Sequence, residues 1–262
     1  MANYVENPRG IHAVRVLKDK TDFTLESLIE AAYDSALVAF DPLLPELIAL
    51  KDEASVAPET REAIAHLSGW DTRFALDSTQ TSLAVFWGEA LMSEARPLAA
   101  AANEDIYDYL ASQITDEQRI TALENAMATL NDGFGSWQVP WGEINRYQRN
   151  DGAIVQQFDD SKPSLPVAFA SARWGSLASF GSRSYPGTNR LYGTSGNSFV
   201  AAVEFGEKVR AKAVTVGGLS NDPASPHFDD QAALYTEGRF RDVLFYPEQV
   251  EANLEREYHP GE

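Results

Sequence analysis

Four histidines, His12, His66, His227 and His259, are the imidazoles available as bases or ligands. His12 and His66 fall inside helical patterns, where an imidazole more often serves as a structural hydrogen-bonding group than as a catalyst. A histidine-activated serine needs a strained turn to present it, and no Gly-x-Ser-x-Gly occurs. Thr194-Ser195-Gly196-Asn197-Ser198 reads either as an exposed serine or as a glycine-rich loop entering a strand. Asp229-Asp230, with His227 and Asp222 nearby, reads either as a hard-cation site or as a helix N-cap with a solvated first turn. The chain contains no His-Glu-x-x-His, no Gly-x-x-x-x-Gly-Lys and no dinucleotide fingerprint. It has 0 cysteines, so disulfides, thiolate nucleophiles, Cys-ligated zinc and iron–sulfur clusters are excluded together. Paired acids for glycoside cleavage cannot be picked from 39 carboxylates without geometry.

Two stretches carry an unusual density of Trp, Gly, Asn and Arg. One is Trp137-Gln138-Val139-Pro140-Trp141-Gly142-Glu143-Ile144-Asn145-Arg146. The other begins at Gly193–Phe199 and continues through Gly217-Gly218-Leu219-Ser220 and Ser225-Pro226-His227-Phe228-Asp229-Asp230-Gln231. Such composition marks a crowded backbone with satisfied polar groups, or simply tight turns between strands.

The elements that must position these residues change character along the chain. Leu25, Leu28, Ile29, Ala32, Ala36 and Phe40 form a 3,4-spaced apolar stripe that predicts one helix from Thr24, its N-cap, to Asp41-Pro42. Further helices are expected at about 43–52, 59–69, 79–93 and 103–114, with loops near 53–58 and 93–103. Thr115-Asp116-Glu117-Gln118 has the form of a capping box and starts a helix expected to end at Gly133. Beyond that point lie most of the 17 glycines. The runs 199–205 and 209–216 flank Gly206-Glu207 as a β-hairpin. Ala153–Phe158, Val167–Ala170 and Val243–Tyr246 are further strand candidates, and a helix is expected near Phe228–Thr236. The fold class is therefore α+β, a mainly helical region 1–132 followed by a β-rich region 133–262 with a C-terminal helix, in one continuous body.

Composition narrows the partners. In 262 residues, 39 acidic side chains outweigh 21 basic ones, for a net charge of −18. That balance argues against sequence-independent nucleic-acid binding and against docking on anionic lipid. With 44% hydrophobic residues the chain can bury a sizeable core. No apolar run approaches the roughly 18–20 residues of a membrane span. The start, Met1-Ala2-Asn3, lacks signal-peptide character. The location expected is cytoplasmic if Met1 is the true start, and periplasmic or secreted if the chain belongs to an exported precursor.

The order Asn7-Pro8-Arg9-Gly10-Ile11-His12-Ala13, Trp70-Asp71, Trp141-Gly142-Glu143-Ile144-Asn145-Arg146, Gly193–Phe199 and His227-Phe228-Asp229-Asp230-Gln231 resembles the penicillin acylase family of N-terminal nucleophile hydrolases. Within that family it is similar to the acyl-homoserine-lactone and aculeacin-type acylase branch. It covers nearly the whole chain but only the C-terminal part of the family's large β subunit. The resemblance implies part of an αββα sandwich produced by autoproteolysis. The nucleophile would be a serine at the start of the β subunit, its own α-amino group acting as base. That serine would lie well upstream of Met1, the oxyanion asparagine would precede the Asn7-Pro8-Arg9-Gly10 stretch, and Ser27, Ser35, Ser195 and Ser198 cannot replace the serine. An active-site arginine follows the oxyanion asparagine in the family, and Arg9 matches it, with Arg15 as the fallback. An ordinary surface or salt-bridged arginine at a helix start remains the alternative for Arg9. Calcium is possible in the full assembly, but its ligands fall outside this stretch, so no metal or cofactor residue is assigned here.

The partners implied are the acylase segments bearing the N-terminal serine, together with an acylated small molecule. Phe23, Trp87, Phe134 and Trp174 are candidate acyl-pocket aromatics, or else core residues. Because the chain does not begin with the nucleophile, it is expected to be inactive in isolation. Two other readings stay open: a noncatalytic acylase-like binding module, and an α+β sugar- or peptide-binding protein. The last would use Trp70, Trp137, Trp141 and Trp174 as exposed stacking platforms.

Overall fold

A computed structural model describes residues 6–257, 259 and 261. Met1-Ala2-Asn3 and the rest of 1–5 lie outside the described residues. The helical part comprises α1 (Pro8–Leu17), α2 (Leu25–Ala32), α3 (Leu43–Ala49), α4 (Pro58–Ser68), α5 (Thr79–Ala102), α6 (Ile106–Ser112) and α7 (Asp116–Phe134). A short α8 (Trp141–Ile144) leads into β1 (Asn145–Tyr147), β2 (Leu165–Pro166), β3 (Phe180–Arg183) and β4 (Leu191–Gly196). Then follow β5 (Phe199–Glu204), β6 (Arg210–Thr215), α9 (Ala232–Thr236), β7 (Arg241–Asp242) and α10 (Pro247–Ala252). The protein is α+β, with helices first and sheets second.

The capping signals act as their chemistry requires. Thr24 and Thr115 each accept from the backbone three residues on, and Ser27 and Gln118 return the bond. The stripe predicted to run to Phe40 nevertheless stops at Ala32. Asp34 turns its carboxylate onto the Ala36 N–H at 3.0 Å, so side chain replaces helix bond, and Ala36 pairs with Arg73 in a β-bridge. Only a 3₁₀ turn, Val38–Phe40, follows. The loop expected at 93–103 is instead the second half of α5, Pro97 included. Ala95 and Ala99 are buried there, and a run of good helix formers carries the helix to Asn103, whose φ of 55° ends it. The helix expected to stop at Gly133 continues to Phe134, because Gly135 (φ 78°) holds the left-handed cap position.

Two sheets follow. In the first the order is β2-β1-β4-β3, β1 parallel to β4 and the other pairs antiparallel. In the second the order is β5-β6-β7, with the predicted hairpin in register from Phe199↔Thr215 to Glu204↔Arg210. The Thr194–Ser198 stretch is not a loop entering a strand: Thr194–Gly196 end β4, and Asn197-Ser198 cross to β5. Gly196 has φ 131°, and a Cβ there would strike the Ser179 carbonyl, so only glycine fits the crossing.

Three strand candidates are corrected. Segment 153–158 is irregular, closed on itself where Asp151 accepts from Ala153 N and Gln156 donates to the Ala153 carbonyl. Segment 167–170 is not a strand, because the Asn145 side chain supplies the donors that a ladder would, to Val167 O (2.8 Å) and Phe169 O (3.1 Å). At 243–246, Gln249 takes Phe245 N and Tyr246 N to cap α10; strand pairing with β6 covers Arg241–Asp242 and is extended only by the bond from Val243 N to Ala211 O at 2.9 Å among the described residues. The helix near Phe228–Thr236 is only Ala232–Thr236, preceded by turns.

The main core gathers α3 to α7 with Trp141 and Trp174, so residues on both sides of 133 share it. At its centre Phe40 stacks on Trp174 with ring centroids 5.0 Å apart. Gly88 lets Trp174 lie against α5, where an added Cβ would come within 2.6 Å of Cη2. A second cluster, including Tyr147, Phe169, Phe180, Val214 and Tyr235, joins the two sheets. Among the described residues no helix is long and apolar enough to cross a membrane.

Candidate active-site arginine and its cavity

Asn7 caps α1 by accepting from Gly10 N at 3.0 Å, and Pro8 pre-sets the first helical turn. These two residues fix the direction of Arg9. Its Nη2 donates to the Leu177 carbonyl at 2.7 Å, linking α1 to the segment before β3. Among the described residues Arg9 has no carboxylate partner, and it is only half-buried. It lines a cavity of about 260 Å³ together with Leu28, Tyr33, Leu177, Asn197 and Val200. Burial pushes the Tyr33 phenol up to about 12, so it stays protonated, and its hydroxyl has no protein partner among the described residues. An unneutralised guanidinium in a largely apolar cavity is a donor set suited to an anion or a carbonyl oxygen.

The support behind Arg9 is polar and buried. His12, one turn further along α1 and 0% exposed, places Nδ1 2.8 Å from the Gly175 carbonyl and Nε2 3.0 Å from Asp34 Oδ1. Both partners accept, so the geometry suits an imidazole donating from both nitrogens. Arg73 closes the group, with Nη1 3.1 Å from Asp34 Oδ1. Burial works to raise the Asp34 carboxyl, but the Ala36 N–H, Arg73 and His12 outweigh it and hold it below its ordinary value. On the other side, Asn197 accepts from Ser179 N at 2.7 Å and donates its own N–H to Ser179 O at 2.9 Å. The 175–179 segment that carries the Arg9 acceptor is thus gripped from α1 and from the β4–β5 crossing. Asn197 explains part of the Gly193–Phe199 motif, a role that the sequence signalled only as crowding.

Arg15 sits elsewhere. It pairs with Asp41 at 2.8 Å on the surface and faces a different cavity, beside Val38, Pro42 and Tyr107. Among the described residues no serine hydroxyl hydrogen-bonds an imidazole. Ser27 is spent in a cap, and Ser35 accepts from Arg73. His66 bonds Thr79 Oγ1 instead, and burial lowers its pKa against the opposing pull of Glu62. His227 is ion-paired to Asp230 (2.9 Å) and Glu255 (3.3 Å), which raise its pKa. Asp222 is occupied in a turn with Ala224 N, and no group of three or more His, Asp and Glu among the described residues could hold a metal ion. The hard-cation reading of 222–230 is corrected accordingly, and these residues do not fit a calcium site. The N-cap reading is corrected too, since Gln231 occupies the position before α9.

All five tryptophans are buried, which overturns the reading of Trp70, Trp137, Trp141 and Trp174 as stacking platforms. The acyl-pocket candidates do not converge either. Trp87 and Trp174 are fully buried, Phe134 packs on the same core, and Phe23 sits under the Lys20 ammonium.

A family model described as penicillin amidase matches residues 1–252. Among solved structures, the chain is similar to the penicillin G acylase of Alcaligenes faecalis, at 15% identity and a TM-score of 0.49. The alignment covers 96% of this chain and 52% of that one, so the chain spans about half the length of the acylase it matches. With the family match extending over nearly its whole length, this chain belongs to the penicillin amidase family.

Proposed function

We propose that this chain is part of an N-acyl amide hydrolase whose nucleophile is the N-terminal serine of a companion segment, and that Arg9 is its contribution to the active site. The family match over residues 1–252 carries the reading. The half-buried, unneutralised Arg9 and the absence of a serine–imidazole pair among the described residues support it. So does β5, which among the described residues pairs only with β6 and turns outward Phe199 (61% exposed) and Val203, with Phe205 (85%) just beyond it. An apolar edge strand of this kind is suited to pairing with a further segment.

The serine hydroxyl attacks the amide carbonyl while its own α-amino group takes the proton. The tetrahedral intermediate collapses, the amine leaves with that proton, and water then releases the acid from the acyl-enzyme. Arg9 acts through the fixed planar fork of its donors, orienting polar groups around the reacting carbonyl. The substrate branch proposed is that of the acyl-homoserine-lactone and aculeacin-type acylases.

Native mass spectrometry of the protein from its own source, paired with a chromogenic acyl-amide assay, tests this reading. The expected result is a complex containing a chain that begins with serine, active as a whole, with no turnover by the present chain alone. Arg9→Ala should lower kcat about 10²-fold, the usual cost of misplaced reacting groups, and Arg15→Ala should leave it unchanged. Turnover by the chain alone would overturn the proposal. Isolation of the chain without companions would overturn it as well, in favour of a noncatalytic module.

A further inference from the structure

A cleft of about 600 Å³ opens between α5, α8 and the β3–β4 pair, and it shares no lining residue with the Arg9 cavity. Phe86, Trp141 and Leu191 supply apolar wall, while Ser184 and Ser195 line the polar side. Three charged side chains face it. Glu89 and Arg173 neutralise one another, and Glu89 also accepts from Trp174 Nε1 at 3.2 Å. Arg183 is exposed and lies 4.9 Å over the Tyr185 ring, without a carboxylate partner among the described residues. The lining therefore has one uncompensated positive charge, on a protein whose net charge is −18. A long-range field of that sign repels anions, so any anion held here depends on the local guanidinium.

We propose that this cleft binds a small monocarboxylic acid with an apolar body, its carboxylate on Arg183 and its body against Phe86, Trp141 and Leu191. The volume is that of a small-molecule site. A guanidinium offers a carboxylate two parallel donors, and the Ser184 and Ser195 hydroxyls, which make no protein hydrogen bond among the described residues, can add to them. A dianion is disfavoured because Arg173 is already spent on Glu89. An uncharged molecule would leave the Arg183 donors unused. The site is independent of the acylase reading, since it rests on none of the residues assigned to that chemistry.

Calorimetric titration of the protein with octanoate tests the proposal, with octanamide (same body, no charge), acetate (same head, no body) and inorganic phosphate as comparisons. Octanoate should bind with 1:1 stoichiometry and at least tenfold more tightly than each of the others. Arg183→Ala should weaken it about tenfold, the usual cost of removing one hydrogen-bonded charge. Arg183→Lys should retain part of the affinity, and Arg210→Ala, an exposed arginine outside the cleft paired with Glu204, should retain all of it. Arg183 is exposed, so its replacement spares the core. Octanoate binding no tighter than octanamide, phosphate binding more tightly than octanoate, or an unchanged affinity in Arg183→Ala would each overturn the proposal.

Discussion

Gly88→Ala sets two known effects against each other in the middle of α5. Replacing glycine by alanine inside a helix favours folding by about 1 kcal/mol, through backbone entropy. Against this, the new Cβ would sit 2.6 Å from Trp174 Cη2 and 3.0 Å from both Cζ2 and Cζ3. Carbon atoms in good contact are about 3.5–4.0 Å apart, so the ring or the helix must move by about 1 Å. Trp174 has nowhere to go: it is fully buried, stacked on Phe40, and tied through Nε1 to Glu89. Overpacking costs about 1–3 kcal/mol, and a ring held this firmly belongs in the upper part of that range, about 2–3 kcal/mol. After the propensity gain of about 1 kcal/mol, the net loss should be about 1–2 kcal/mol. Urea unfolding of Gly88→Ala, Trp174→Phe and the double variant forms the assay. Phenylalanine withdraws the crowded six-membered ring, so the pair should couple favourably by about 1 kcal/mol or more. Stability of Gly88→Ala equal to or above the parent, or additivity within about 0.5 kcal/mol, would refute the packing argument. The strain would also reach Arg9. Gly175, next to Trp174, presents the carbonyl that meets His12, and Leu177 two residues on holds the arginine.

Three further outcomes follow from the polar groups. Arg119 is 4% exposed, with Nε and Nη1 lacking hydrogen-bond partners among the described residues and Asp116 only at 4.0 Å, so Arg119→Met should raise the unfolding free energy measured in urea or leave it unchanged; a fall of more than about 1 kcal/mol would contradict that. Asp34 has a depressed carboxyl pKa, so its stabilisation is present above its ordinary value of 3.8 and lost as pH falls through the lower folded value; Asp34→Asn should flatten the acid limb of a stability–pH profile. His227 has a raised pKa, so its stabilisation is present below 6.5 and lost as pH rises through the folded value. NMR titration should find that imidazole above 6.5, and Asp230→Asn should bring it down.

Local signals written in the sequence survive folding where one stretch of chain contains both partners. Thr24 and Thr115 cap their helices because donor and acceptor lie three residues apart, and the 199–215 hairpin closes because alternation and turn are adjacent. Arg9 is proposed for the site through its motif alone, since a half-buried arginine at a helix start looks like any other until its neighbours are known. Composition excluded cysteine chemistry outright, because a residue type that is absent cannot act. Tertiary structure decided the rest. Asp34 ends α2 early because Ala36 and Arg73 lie within reach, and Asn145 replaces a strand by reaching residues 22 and 24 positions away. Arg9 meets Leu177 across 168 residues, and Phe86 meets Arg183 across a cleft that no periodicity announces. Helical and strand patterns report contacts along the chain, whereas a cavity is made where distant segments leave space, which only their packing determines.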